Sequence, residues 1–273
     1  KKNNYKKFLL VRFKINKLKG APPIPVRYLE VLNNITLDDN GLDFFTDNDT
    51  NSKLNTADSF IGLCPGSKHF TKQWPKEYFI ELGKKLEHEG YKIVLFGGLE
   101  EVKTCDEIEK NLRKALNLCN TSILQLGADM KMCKAIYTND SGLMHLATAV
   151  KVPVISIFGS TVKEFGFFPY KAKSAVIQKK ELSCSPCTHI GRNSCPKVHF
   201  EPLPSYNCPA CRLTGKMTLS TRKKIGRQSR CCGERYCLFC IQTFSFWVTL
   251  VCLVLSPKKA LLCTHKSPTC IIS

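Results

Sequence analysis

The stretch Tyr137-Thr-Asn-Asp-Ser-Gly-Leu-Met-His-Leu-Ala-Thr-Ala-Val150 decides the fold. Residues 135–138 are apolar and β-prone, and the turn that follows them is polar. Leu143, Leu146, Ala147 and Val150 recur at helical spacing, which predicts a helix with one face on a core. Asp140 or Ser141 can cap that helix by accepting a backbone N–H bond. Gly142 lets the backbone come close to a bound group. His145 follows Ser141 by about one helical turn and so faces the same opening. Val152-Pro-Val-Ile-Ser-Ile-Phe158 then reads as a buried strand. A polar turn at the carboxyl end of a strand, feeding a helix N-terminus, is where open α/β sheets bind ligands and where anions are favoured.

Upstream, Ser59-Phe-Ile-Gly-Leu-Cys64 is a buried-strand candidate, followed by a polar loop over residues 65–74 that carries Lys68 and Lys72. Pro75 suits the first position of a helix whose buried side is Tyr78, Phe79, Leu82 and Leu86, and Gly90 ends it. Tyr91-Lys-Ile-Val-Leu-Phe96 reads as a strand running into Gly97-Gly98. Residues 100–116 are expected as a helix with Val102, Ile108, Leu112 and Leu116 inward. Ser122-Ile-Leu-Gln-Leu126 is expected to be extended, and 129–134 a short helix. Ser174-Ala-Val-Ile-Gln178 is the last strand candidate. Nearer the start, Phe8-Leu-Leu-Val-Arg-Phe13 suits a strand or a short helix, and Ala21-Pro-Pro-Ile-Pro25 an extended connector. Tyr28-Leu-Glu-Val-Leu32 suits a helix start, and residues 33–58 a loop. Strand and helix alternate from 59 to 178, the pattern of a parallel, doubly wound α/β sheet, although the strand order does not follow from it.

The chain has 273 residues and a formal charge of +19, unevenly spread. Residues 201–273 hold 11 Lys+Arg against 2 Asp+Glu, and 9 of the 16 cysteines, so this tail differs in kind from what precedes it. Net charge alone would suit nucleic acid or an anionic membrane. Over residues 1–200, however, the signs are mixed, and neither a helix-turn-helix nor an RNA-binding aromatic signature is present, so no nucleic-acid partner is expected. The start, Lys1-Lys-Asn-Asn-Tyr-Lys-Lys, has no initiator Met or signal peptide and reads as if cut from something longer. Cysteines without framework spacing in residues 1–150 point to a reducing, cytoplasmic setting. The apolar-leaning run 238–255 is just long enough for a membrane span, but Gln242, Thr243, Ser245 and Thr249 weaken it.

In a parallel sheet the loops 65–74, 97–101 and 139–145 lie at one carboxyl edge. That edge gathers Ser67, Lys68, Lys72, Glu100, Asp140, Ser141, Gly142 and His145. Two lysines, a hydroxyl and a helix N-terminus suit a diphosphate. An acidic residue after the second strand suits a ribose hydroxyl pair. Singly, each has a plainer reading: Lys72 a solvated lysine, Glu100 a helix-start residue favoured by the dipole, His145 a satisfied helix histidine. Their convergence on one edge favours a site.

Four segments then carry a resemblance: Pro65-Gly-Ser with Lys72-Gln-Trp-Pro-Lys-Glu-Tyr-Phe79, Leu95-Phe-Gly-Gly98, Asn139-Asp-Ser-Gly-Leu-Met-His145, and Pro153-Val-Ile-Ser-Ile-Phe-Gly159. In order, spacing and type they resemble the ADP-heptose:lipopolysaccharide heptosyltransferases, family 9 glycosyltransferases with the two-domain GT-B fold. The resemblance covers about residues 55–200, and the connector at 6–35 is similar to the segment that precedes this domain in some members. It implies that Lys72 binds the donor's diphosphate, Glu100 lies near its ribose, and Asp140 holds sugar hydroxyls. It also implies that Ser141 and Gly142 meet phosphate through their backbone, and that His145 stands beside the diphosphate. The implied reaction is inverting transfer of heptose from ADP-heptose, or a related nucleotide sugar, to a lipopolysaccharide core acceptor, with no cofactor required. The implied setting is cytoplasmic, with peripheral contact at the inner membrane helped by a basic surface.

Such enzymes take their catalytic carboxylate base from an N-terminal domain. No such domain is recognisable here, so no catalytic residue is assigned, and the chain alone is expected to be incomplete and weakly active or inactive. The expected organisation is a connector over 1–54, a donor-binding domain over 55–200, and a Cys-rich basic tail over 201–273 that is non-native or disordered. The likeness stops after Phe200, as a frame error or a fused segment would produce. The alternative reading is a zinc-binding, nucleic-acid-binding module on Cys184, Cys187, Cys195 and His199, with Cys208-x2-Cys211 and Cys237-x2-Cys240 as a second site. That alternative leaves 59–178 unexplained.

Overall fold

The computed structural model describes residues 3–32, 38–47, 49–178, 182, 184–195 and 271–272. Cys208, Cys211, Cys237, Cys240 and His199, expected as metal ligands in the alternative reading, and the apolar run 238–255 lie outside them.

Helix α1 (Asn4–Phe13) settles the open choice for Phe8–Phe13 and ends at Lys14, whose φ of 60° is left-handed. Helix α2 (Ile24–Leu29) starts inside the proline run that was expected to be extended, with Pro23 as N-cap. Pro25 sits in the first turn, where the missing N–H would have had no partner in any case. Strand β1 (Phe60–Cys64) is fully buried, as is the apolar end of β2 (Lys92–Leu95). Between them runs α3 (Lys76–His88), which buries Phe79, Leu82, Gly83 and Leu86. Pro75 is its N-cap rather than its first residue, so the helix starts one residue later than expected, and Gly90 closes it with a φ of 92° that a side chain would rarely adopt.

The helix expected over 100–116 is shorter. A 3-10 turn (Leu99–Glu101) leads into α4 (Val102–Glu109), and the chain then forms β3 (Ala115–Asn117). Leu112 has left the helix, yet it still packs inward against Gly83. Leu116, expected inward, is exposed. β3 has only three residues, too few for a period to show. The segment expected to be extended at 122–126 opens α5 (Ile123–Lys131), because Ser122 caps it by accepting the N–H of Gln125 at 3.2 Å. Ile-Leu-Gln-Leu is ambiguous between periods 2 and 3.6, and the cap decides it. Strands β4 (Cys133–Asn139), β5 (Val154–Phe158) and β6 (Ser174–Gln178), with α6 (Gly142–Ala149), complete the unit.

The sheet runs β3-β2-β1-β4-β5-β6-β7, where β7 is Ile271–Ile272. β1 to β6 pair in parallel, and β7 pairs antiparallel with β6. No alternating pattern joined the tail to the sheet in the sequence, since two residues cannot carry one. The order 3-2-1-4-5-6 reverses direction between β1 and β4, and α/β sheets open a crevice beyond the carboxyl ends of their strands at such a reversal. Cys64 pairs with Thr138 there, so the loops starting at Pro65 and Asp140 leave the sheet side by side. The core below contains Phe60, Val94, Phe96, Ile136, Met144 and Val154, each at most 1% exposed. Burying each such large apolar side chain contributes about 1.5–3 kcal/mol, which gives the edge a rigid base. A smaller cluster of Leu10, Leu18 and Phe165 ties α1 to the turn Lys163–Phe165. Among the described residues, no helix is long and apolar enough to cross a membrane.

Candidate donor-binding site

Lys72 ends a 3-10 turn (Phe70–Lys72) in the loop after β1, and Asp140 is the first residue beyond β4. Their side chains meet at 2.8 Å, with 13% and 4% exposure. The Lys72 ammonium also lies 5.7 Å from the centre of the Phe167 ring, within cation–π range. The Thr161 hydroxyl donates to Asp140 Oδ2 at 2.6 Å, the same oxygen that Lys72 holds. Ser67, buried, donates to the Asp140 carbonyl at 3.1 Å.

The two loops are locked together by Asn139, which is fully buried. Its Nδ2 donates to the Pro65 carbonyl at 2.7 Å, and its Oδ1 accepts the Trp74 N–H at 3.0 Å. The loop after β5 joins the frame. Thr71 donates through Oγ1 to Ser160 Oγ at 3.1 Å, and the Ser160 N–H donates to the Thr71 carbonyl at 3.1 Å. The backbone of Arg192 brackets Thr71, donating to Oγ1 at 2.9 Å and accepting the Thr71 N–H at 3.1 Å.

Helix α6 starts at this edge. Ser141 is its N-cap residue but makes no side-chain capping bond, contrary to the expectation. Its Oγ is buried without a hydrogen-bond partner among the described residues. The first N–H groups of a helix have no partner within the helix, and they carry partial positive charge. Among the described residues, a Cβ on Gly142 would meet no atom within 4 Å, so no described side chain covers the backbone there. An anion at this place would find the N–H donors of the helix start, next in the chain to the Asp140 carboxylate that Lys72 holds. His145 is largely buried in the same turn. Burial lowers its imidazole below the ordinary 6.5, Asp140 opposes that shift, and Lys72 adds to it.

Of the eight residues expected at this edge, the structure brings Ser67, Lys72, Asp140, Ser141, Gly142 and His145 together. Lys68, in the same loop, is exposed. Glu100 is exposed on its 3-10 turn, whereas Glu101 folds back and accepts the Gly98 N–H at 2.8 Å. A Cβ on Gly66 would stand 2.2 Å from Glu101 Cγ, so the glycine admits this carboxylate beside the first loop. Thr161, Thr71 and Asn139 were not singled out in the sequence. A signal for Thr161 existed: Gly159-Ser-Thr161 is a fourth polar turn at the end of a strand of the same sheet.

The sequence model of glycosyltransferase family 9 (heptosyltransferase) matches residues 28–198, more than half of the chain. The chain belongs to that family. It is 37% identical over 119 residues to lipopolysaccharide heptosyltransferase 2 of Salmonella typhimurium, covering 41% of this chain and 34% of the relative. It is 33% identical over 155 residues to lipooligosaccharide heptosyltransferase 2 of Campylobacter jejuni, covering 54% of this chain and 48% of that one. Among solved structures, the ADP-heptose lps heptosyltransferase II of E. coli aligns at 33% identity with a TM-score of 0.43, over 49% of this chain and 45% of that one. The chain thus spans about a third to a half of the length of the curated relatives it matches. The family match covers the residues that the zinc-module alternative left unexplained. Among the described residues, no group of three or more His, Cys, Asp or Glu side chains is arranged to hold a metal ion.

Proposed function

We propose that this chain carries the donor-binding half of an inverting heptosyltransferase that takes ADP-heptose as donor and a lipopolysaccharide core as acceptor. The observation that carries the reading is the buried Lys72–Asp140 pair next to Ser141, whose hydroxyl has no partner among the described residues, at the N-terminus of α6 and at the reversal of strand order. In this reading residues 55–200 form the donor domain of a GT-B enzyme and residues 1–54 its connector. A separate domain binds the acceptor and supplies the general base.

As the bond from heptose to phosphate breaks, the sugar carbon gains positive character and ADP gains negative charge. In this reading Lys72 and the first N–H groups of α6 meet that negative charge once the donor is bound. Such preorganised donors act where the charge develops and need no rearrangement during the step. This reading calls for no metal. Asp140 offers a carboxylate oxygen to sugar hydroxyls, and His145, with its pKa lowered by burial, stays a neutral hydrogen-bonding group near pH 7. The place of work is the cytoplasmic side of the inner membrane, where the basic surface favours peripheral contact with anionic lipid.

The test is calorimetric titration of the full chain with ADP-heptose, ADP and UDP-glucose. Competition of ADP with ADP-heptose for one site is expected. UDP-glucose binding as tightly as ADP-heptose would contradict the donor class.

A further inference from the structure

Asp140 presents a geometric problem that the donor-site reading does not by itself solve. Its Oδ2 is shared by Lys72 Nζ at 2.8 Å and Thr161 Oγ1 at 2.6 Å, whereas Oδ1 has no hydrogen-bond partner among the described residues. An arriving diphosphate competes for the Lys72 ammonium. If Lys72 alone held the carboxylate, that competition would free it to turn. The terminal torsion of an aspartate is broad and roughly two-fold, so nothing intrinsic decides which oxygen faces the ligand.

Thr161 has the properties needed to remove that freedom. It is fully buried, and its β-branched side chain is stiff. Its carbonyl accepts a hydrogen bond from the side-chain amide of Gln178, at the end of β6. Its neighbour Ser160 is bonded twice to Thr71, the residue before Lys72. The hydroxyl therefore projects from a frame that spans β5, β6 and the lysine's own loop.

We infer that Thr161 is a positioning residue for the donor sugar: it holds Asp140 Oδ2 in place, so that Oδ1 is presented to the sugar hydroxyls while Lys72 turns to the diphosphate. The inference rests on the donor-site reading above. It assigns Thr161 a role in binding the sugar and none in binding ADP alone.

The experiment titrates ADP and ADP-heptose separately into the full chain as wild type, Thr161→Val and Thr161→Ser. Losing a hydrogen bond to a charged group should weaken ADP-heptose binding by about tenfold in T161V. ADP affinity should stay at the wild-type level, and T161S should restore ADP-heptose binding. Thr161→Ala gives the same readout if T161V does not fold. Equal losses for both ligands would mean a merely structural threonine and overturn the inference, as would wild-type ADP-heptose binding in the folded variants or failure of serine to restore it. Wild type binding neither ligand would instead overturn the donor-site reading, and this inference with it.

Discussion

Lys72 and Lys76 are four residues apart, and each closes an ion pair, but with opposite consequences. Lys72 pairs with Asp140 at the sheet edge with both side chains nearly buried, at 13% and 4% exposure. Lys76 pairs with Glu107 across the outer flank of α3 and α4, at 42% and 36%. The exposed pair perturbs both partners, raising the lysine and lowering the glutamate through their hydrogen bond, but water screens it. Around the buried pair, Thr161 donates to the carboxylate and Asn139 ties its loop to the loop of Lys72. Two buried charges are poor evidence for stability and fair evidence for a site.

The contrast is easiest to break at Asp140. Asp140→Ala leaves the Lys72 ammonium unpaired, and the cost should be about 3 kcal/mol of unfolding free energy, read by urea denaturation. A loss no larger than that of an exposed pair would make the two pairs equivalent. Next is the frame. Asn139→Ala strands the Pro65 carbonyl and the Trp74 N–H and should cost about 2 kcal/mol. Full stability in this variant would show that the two loops hold their places without it.

A smaller effect is expected from pH. The imidazole of His145 is harder to protonate in the folded chain than in the unfolded one. As pH falls below about 6.5 the unfolded state takes up the proton first, so stability drops with falling pH down to the lowered folded value. His145→Gln should flatten that slope in thermal melts across this range. An unchanged slope would assign it to other groups. The smallest effect is expected from Lys76→Ala, whose unfolding free energy should match wild type at low and at high salt. A clear loss would erase the contrast between the two lysines.

How much could be read from the chain alone varied with how each residue is held. Lys72, Asp140 and His145 were legible because strand, polar loop and helix start fix the edge on which they lie. Glu100 and Glu101 are chemically identical neighbours, and only the close approach of Gly66 and the Gly98 N–H turns Glu101 inward. Thr161 carries a local signal, the polar turn Gly159-Ser-Thr161 at a strand end, but its place beside Asp140 follows from β5 pairing next to β4, a strand order that no local pattern encodes. β3 and β7 are too short to show a period. At α5 the Ser122 cap decides a run of four residues whose own pattern does not. At α2 a proline run opened a helix, because proline's defects do no harm in a first turn.

The most direct measurement is calorimetric titration of ADP into the full chain, beside Lys72→Ala. If Lys72 and the start of α6 form a diphosphate site, wild type binds ADP saturably, and the variant, once circular dichroism shows it folded, binds it at least about tenfold more weakly. Equal binding by the two proteins would place the nucleotide elsewhere. No binding by a folded wild type would contradict a donor site at this edge of the isolated chain.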